Sequence, residues 1–181
     1  PVTRAGFAVL MCNVFPDAAA VIRAPSFPDV SGKHWAEQAI EKATERGFFA
    51  GYPNGLFYPD RLIPRVQAII ILAAHLKLKF TATPDKLETE SLQFLQDCFE
   101  DADTIPQYAR SMVAAATQSG IVVNYPQVRQ LKPNQNATRE EVAALLCRVL
   151  GIYTVPVDYI AGIRVQFQPV RSLPRSLDSL A

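Results

Sequence analysis

The sequence predicts a mainly α-helical fold built from tandem helix–loop–helix repeats. Three segments, at residues 1–10, 62–72 and 136–146, each place an arginine directly before an apolar stretch of helical length. Similar segments separated by tens of residues are typical of a protein assembled from small repeated units. The repeated arginines are Arg4, Arg65 and Arg139. Their position at the start of each helix predicts that the repeats bind one kind of anion more than once.

The middle repeat, residues 27–78, shows the clearest pattern. Its first helix is predicted over about residues 34–46, where apolar residues recur on one stripe. Gly47 follows as a C-terminal cap, because glycine adopts the left-handed conformation at little cost. A loop at residues 51–55 is dense in turn-forming residues, and the second helix is predicted over about residues 65–76.

The last repeat, residues 99–151, follows the middle repeat closely. Gly120 occupies the position of Gly47, and the loop after it is one residue longer. The first repeat is present only as its second helix, residues 1–15, so we expect the apolar face of that helix to pack on the other repeats or on the tail.

Two further segments lie outside the repeats. Residues 79–98 are predicted to be an inserted linker, in which residues 88–96 form one extra helical turn. Residues 152–181 lack a helical period and are predicted to be a short irregular or β-like tail, with one strand at residues 162–167.

The composition excludes several classes of function. The chain has 181 residues, enough for one or two domains with a substantial core. Hydrophobic residues make up 49% and charged residues 19%, which argues against global disorder. A net charge of +1 gives no electrostatic basis for binding nucleic acid or an anionic membrane. The most apolar run, residues 68–76, has the length of a buried helix and not of a membrane span.

The three cysteines form no disulfide framework or paired metal motif. Cys12 and Cys147 occupy the same repeat position, where the middle repeat has Ala73. A small residue at this position in every copy favours thiols packed in a helix face, and a Cys12–Cys147 bridge stays open as the alternative.

Several spaced motifs occur twice in the same order. The middle copy contains Phe27-x-Asp29-Val30, Trp35-Ala36, Gly51-Tyr52-Pro53-Asn54-Gly55 and Ile63-Pro64-Arg65. The last copy contains Phe99-x-Asp101, Tyr108-Ala109, Tyr125-Pro126 and Ala137-Thr138-Arg139-Glu140-Glu141. With these motifs the chain resembles the S-layer homology family, over about residues 1–15, 27–78 and 99–151, and in particular its cyanobacterial members.

The resemblance implies both an architecture and a role. Three units would assemble with pseudo-threefold symmetry. They would attach a surface or outer-membrane protein non-covalently to a peptidoglycan-linked cell-wall polysaccharide, often one carrying pyruvate ketals. The expected location is the cell envelope, on its periplasmic or cell-surface face. No cofactor, metal, nucleic acid or direct membrane insertion of this segment is expected.

The expected ligand-binding residues combine charge with flat apolar faces. The guanidinium fork of Arg4, Arg65 or Arg139 matches the planar carboxylate of a pyruvate ketal, and unpaired amides at a helix start also favour an anion. Aromatic faces suit a sugar ring, tyrosines add a hydroxyl group, and a glycine lets backbone approach a ligand. The remaining candidates are Trp35, Tyr108, Tyr52, Tyr125, Gly51 and Thr138.

Structural roles stay open for the same residues. An arginine at a helix start is alternatively solvated, or paired with Asp29 or Asp101 to tie the units together. Trp35 and Tyr108 alternatively belong partly to the core. The aspartates themselves are more typical of turns and helix caps than of ligand contacts.

The three arginine helices differ in their predicted caps. Only the last has a full capping box, with Thr138 as N-cap and Glu141 at the third helical position. Pro64 replaces the threonine in the middle copy, and Gly6 replaces the glutamate in the first copy. We therefore expect the groove that contains Arg139 to bind most strongly.

The sequence contains no signature of an enzyme. The two histidines form no metal-spaced pair, and nucleophile elbows and phosphate loops are missing. The alternative to wall anchoring is a helical adaptor for protein–protein assembly at the cell envelope.

Overall fold

The computed structural model describes residues 1–23, 25–152 and 155–162. The fold is mainly helical, as predicted, and β-structure in the described residues is limited to isolated bridges. The helices are α1 (Arg4–Val14), α2 (Glu37–Glu45), α3 (Arg65–His75), α4 (Leu87–Cys98), α5 (Arg110–Gln118) and α6 (Arg139–Val149). Short 3-10 helices lie at Ala102–Thr104, Gln107–Ala109 and Val157–Tyr159. Within the described ranges, none of the helices has both the length and the apolar character needed to cross a membrane.

The second helix of one repeat packs on the first helix of the next. Helix α1 packs on α2, and α3 packs on α5. The prediction that the apolar face of α1 packs on the other repeats is confirmed, because Phe7 is fully buried and Val9, Leu10 and Val14 contact the core. Each interface between repeats is therefore as much a part of the core as the repeats themselves.

A closed ring of three backbone hydrogen bonds joins the repeats just before the arginine helices. The amide of Val2 donates to the carbonyl of Ala137 (2.8 Å), Ala137 donates to Ile63 (2.9 Å), and Ile63 donates back to Val2 (3.0 Å). All three residues are buried. These residues occupy equivalent positions in the three copies, so the ring supports pseudo-threefold symmetry about its centre.

The first amides of two arginine helices are already bonded to the neighbouring repeat. Arg4 donates its backbone amide to the carbonyl of Arg61 (2.8 Å), and Ala5 donates to Pro59 (2.9 Å). The equivalent bonds at α3 run from Arg65 and Val66 to Gln135 and Pro133. The expectation that free helix-start amides attract an anion is therefore wrong for α1 and α3, because loop carbonyls satisfy those donors.

The predicted differences in helix capping are confirmed. Thr138 accepts a hydrogen bond from the Glu141 amide while the Glu141 side chain accepts one from the Thr138 amide, which completes the capping box. Thr3 caps α1 through the amide of Gly6 (3.0 Å). Pro64 gives α3 no side-chain cap, and the bonds to the next repeat compensate for that loss.

Two helices differ from their predicted bounds. Helix α2 begins three residues later than expected, because Nδ1 of His34 accepts the Ala36 amide and holds the preceding residues in turns. Helix α4 is a full helix and not one extra turn. Ser91 and Leu95 of α4 are buried, and the helix packs on α5 and on the 3-10 helix Ala102–Thr104. The segment expected to be a linker therefore contributes to the core.

The predicted strand at residues 162–167 lies outside the described residues, apart from Gly162. Before it, Ile160 pairs with Val123 in an antiparallel bridge, which attaches the described part of the tail to the last repeat. Cys12 and Cys147 are free thiols, both half-buried, as favoured over a bridge. Burial raises the pKa of the Cys12 thiol.

Candidate ligand-binding groove

Arg4 of the first repeat lies against the loop of the second repeat. Its Nε donates to the carbonyl of Phe57 (2.8 Å), and its Nη2 donates to the carbonyl of Ala50 (3.2 Å). The rings of Tyr52 and Phe57 each lie with their centroids 4.7 Å from the guanidinium carbon. These contacts fix the orientation of a side chain that is only 5% exposed.

Arg4 opens onto a groove of about 240 Å³ that all three repeats line. The second repeat contributes its loop, including Gly51 and Tyr52, and the start of α3, including Gln67. The third repeat contributes Tyr108, from the 3-10 helix before α5. A buried cation, backbone edges and aromatic rings therefore converge in one concave site between the repeats.

Arg4 forms no ion pair within the described residues, and its side-chain hydrogen bonds run to neutral backbone carbonyls. The carboxylate of Asp29 attracts its guanidinium through space. Burial lowers the pKa of the Arg4 guanidinium, although an arginine remains protonated at any physiological pH. Arg61 adds a second cation beside the same groove, with its guanidinium carbon 5.4 Å from the Tyr52 ring centroid. The site is therefore suited to an anion.

Arg65 occupies the equivalent position one repeat later, but it is already paired. Its Nη1 lies 2.8 Å from Oε1 of Glu141, and its Nη2 donates to the carbonyl of Val123 and to Oδ1 of Asn124. Only its Nε is buried without a hydrogen-bond partner. Burial lowers the pKa of Arg65, and the carboxylate of Glu141 acts against that shift.

Three predicted candidates lie outside the Arg4 groove and are exposed. Arg139 is exposed at the start of α6 and forms no ion pair with any described residue. Trp35 is 68% exposed and stacks on His34, with ring centroids 5.8 Å apart. Tyr125 is 73% exposed and meets Tyr159 edge to face. Trp35 and Tyr108, the latter 66% exposed, are not core residues, so that alternative is wrong.

Gly51 is required for packing. A Cβ atom at this position would lie 2.5 Å from Cε1 of Phe27, far closer than any real contact. Phe27 is buried and packs on Phe57, so the ring has little freedom to move. The glycine therefore holds the loop tight against the core and lets its backbone form one wall of the groove.

The loop is braced by an aspartate that the sequence assigned to a turn. Both carboxylate oxygens of Asp29 accept backbone amides, from Phe57 (2.9 Å) and Tyr58 (2.6 Å). Asp101 does the same in the last repeat, for Leu131 (2.9 Å) and Lys132 (2.7 Å). Neither aspartate forms an ion pair with a repeated arginine. Burial lowers the pKa of Arg4 and of Arg65, and the carboxylates of Asp29 and Asp101 act against that shift from a distance.

Two residues of the site were missed by the sequence reasoning. Gln67 lines the Arg4 groove, and Glu141 pairs with Arg65. The sequence predicted a role only for Glu141, as part of a helix cap. Each acts on the arginine of the preceding repeat, a relation that becomes visible once the cyclic order of the repeats is known.

The second and third repeats match a known domain family in sequence. Residues 26–69 and 99–143 match the S-layer homology domain. The chain therefore contains two S-layer homology domains in tandem and belongs to that family, in agreement with the resemblance.

Two relatives come from Acetivibrio thermocellus. The chain is 31% identical to cell surface glycoprotein 1 over 152 residues, which is 82% of the chain and 6% of the relative. It is 30% identical to the cellulosome-anchoring protein over 175 residues, which is 88% of the chain and 36% of the relative. The S-layer protein EA1 of Bacillus anthracis is 32% identical over 97 residues, covering 54% of the chain and 10% of the relative.

The chain thus spans about a third or less of the length of these relatives. One of these relatives is named a cell surface glycoprotein and another an S-layer protein, and a further relative is named an outer membrane protein. The cell-envelope location predicted from the sequence agrees with these names.

Proposed function

We propose that the chain anchors the protein that carries it to a cell-wall polysaccharide, by non-covalent binding in the groove beside Arg4. The observation that carries the proposal is the buried guanidinium of Arg4, which has no ion-pair partner among the described residues, beside a groove lined by all three repeats. The family and the names of the relatives, one of them an anchoring protein, support the same role. The role is one of binding, without catalysis.

The ligand that suits this groove is a sugar carrying a carboxylate, such as a pyruvate ketal. Arg4 supplies a fixed, desolvated cation, and hydrogen bonds to a charged group are the stronger class. Tyr108 presents an exposed ring against which a sugar ring packs. The Tyr52 ring contacts the guanidinium groups of Arg4 and Arg61 and adds its hydroxyl group to the groove. The Gly51 backbone allows close approach of the ligand.

Co-sedimentation with purified wall material tests this proposal. Arg4→Ala is expected to weaken binding to pyruvylated polysaccharide about tenfold or more, because a charged hydrogen-bonding partner is lost. Arg23→Ala, which removes the same charge from an exposed site between α1 and α2, is the matched control and is expected to bind normally. Chemical removal of pyruvate is expected to abolish the difference between the two variants.

Two results would count against the proposal. If Arg4→Ala binds like the unmodified protein, the groove is not the ligand site. If binding does not depend on pyruvate and instead requires a protein component of the wall, the helical adaptor is the better function. Arg139→Ala in the same assay tests the expectation that the groove containing Arg139 binds most strongly.

A further inference from the structure

One position varies across the three arginine helices in a way that changes the charge of each groove. The residue two places after the arginine is Gly6 in α1, Gln67 in α3 and Glu141 in α6. In the second and third repeats this residue lies beside the arginine of the preceding repeat. Gln67 lines the groove with Arg4, and Glu141 bonds Arg65.

At Arg65 the charge is balanced from within the chain. Glu141 places Oε1 2.8 Å from Nη1 of Arg65, which is the distance and type of contact that a ligand carboxylate would make. The other oxygen, Oε2, accepts the Thr138 amide at 2.8 Å, so the carboxylate is held in place from both sides. An external anion would have to displace Glu141 and leave its charge beside the site.

At Arg4 the same position offers no charge. The Gln67 side chain is neutral, and Arg4 makes its side-chain hydrogen bonds to the carbonyls of Phe57 and Ala50. A ligand carboxylate would therefore gain the attraction of a partly buried cation without displacing an internal anion. Gln67 and Glu141 differ only in an amide against a carboxylate. Arg65 has a further internal partner in Asn124, which stands where the middle repeat has Gly51.

We propose that this position decides which groove binds an anionic ligand. Gln67 leaves Arg4 able to bind an external carboxylate, whereas Glu141 is an internal carboxylate that occupies the equivalent site on Arg65. The inference rests on the proposed function, since it assigns the anionic ligand to the Arg4 groove and excludes it from the Arg65 groove.

The direct test places at the Arg4 groove the kind of carboxylate that Glu141 supplies to Arg65. Gln67→Glu is nearly isosteric and places an acid in the first turn of α3, where the helix dipole favours it. The affinity for a monovalent methyl hexoside bearing one pyruvate ketal is expected to fall about tenfold or more, since the new carboxylate competes for Arg4. Isothermal titration calorimetry measures this affinity. Gln38→Glu, the same change at an exposed site in the first turn of α2, is expected to bind normally.

The reverse change removes the internal carboxylate from Arg65. Glu141→Gln keeps an oxygen to accept the Thr138 amide, so the helix cap is retained. The number of sites per chain for the same hexoside is expected to rise by one, through binding at Arg65. A count that does not rise would overturn the assignment of Glu141 as the internal occupant.

The outcomes separate this inference from the function on which it rests. If Arg4→Ala abolishes binding but Gln67→Glu binds like the unmodified protein, the anchoring proposal stands and the charge selection is wrong. If Arg4→Ala has no effect, the anchoring proposal itself fails.

Discussion

Replacing Asp101 tests how the loop of a repeat is held. In each described loop one carboxylate accepts two consecutive amides, and the second amide belongs to a residue with positive φ, 54° at Lys132 and 55° at Tyr58. A left-handed conformation costs a non-glycine residue roughly 1–2 kcal/mol, so the loop needs an external restraint. The aspartate supplies that restraint from the start of the repeat.

The magnitude follows from the number of bonds lost. A hydrogen bond to a charged group contributes about 1.5–3 kcal/mol when buried, and Asp101 is only half-buried, so we take about 1–2 kcal/mol for each of its two bonds. Asp101→Ala is then expected to lower the free energy of unfolding by about 2–4 kcal/mol. Asp101→Asn, which keeps one acceptor oxygen, is expected to cost about half as much.

Urea denaturation gives the measurement, with the free energy of unfolding obtained by linear extrapolation. Asp60→Ala is the control, because the Asp60 side chain is 86% exposed, and a change within about 0.5 kcal/mol is expected. Asp29→Ala repeats the experiment in the other loop and should give a similar value. If either alanine variant at the two braced positions is as stable as the control, the carboxylate does not hold the loop.

Two further predictions concern single residues. Burial lowers the pKa of His75 below its usual value of 6.5, and Lys77 adds to the shift, so the unfolded chain binds the proton more readily than the folded protein does. The stability from the neutral His75 is therefore complete above about pH 6.5 and is lost as the pH falls through the lowered pKa. His75→Phe should remove this part of the pH dependence of the urea midpoint between pH 7.5 and 5. Gly51→Ala would place a Cβ atom 2.5 Å from the Phe27 ring and is expected to lower the free energy of unfolding by about 1–3 kcal/mol. Gly32→Ala is the control, because the nearest atom to its Cβ would lie at 3.6 Å, an ordinary contact. This control should be as stable as the unmodified protein.

Local features of the fold were predictable because they depend on neighbours in sequence. The box at Thr138, the missing cap at Pro64 and the positive φ of Gly47 all follow from a few adjacent residues. Helix α4 was underestimated, because its buried face is completed by α5 and not by a strong pattern of its own.

The chemistry of the site was predictable only in part. The sequence identified Arg4 and Tyr108 as candidates, but not that they meet in one groove, because they come from different repeats. The pairing of Arg65 with Glu141 was hidden for the same reason. Residue types in a repeat indicate what each side chain is able to bind, whereas the order in which repeats surround the axis decides what it does bind.

The ring of backbone bonds among Val2, Ile63 and Ala137 has a consequence for how the molecule folds. In an open solenoid each repeat touches only its neighbours, so units add stability one at a time and unfold from the ends. The ring forms only when three distant parts of the chain come together. The conformational entropy lost in bringing them together is offset only when the last bond has formed. The module is therefore expected to melt as one cooperative unit, and damage to any repeat should weaken the grooves of the other two.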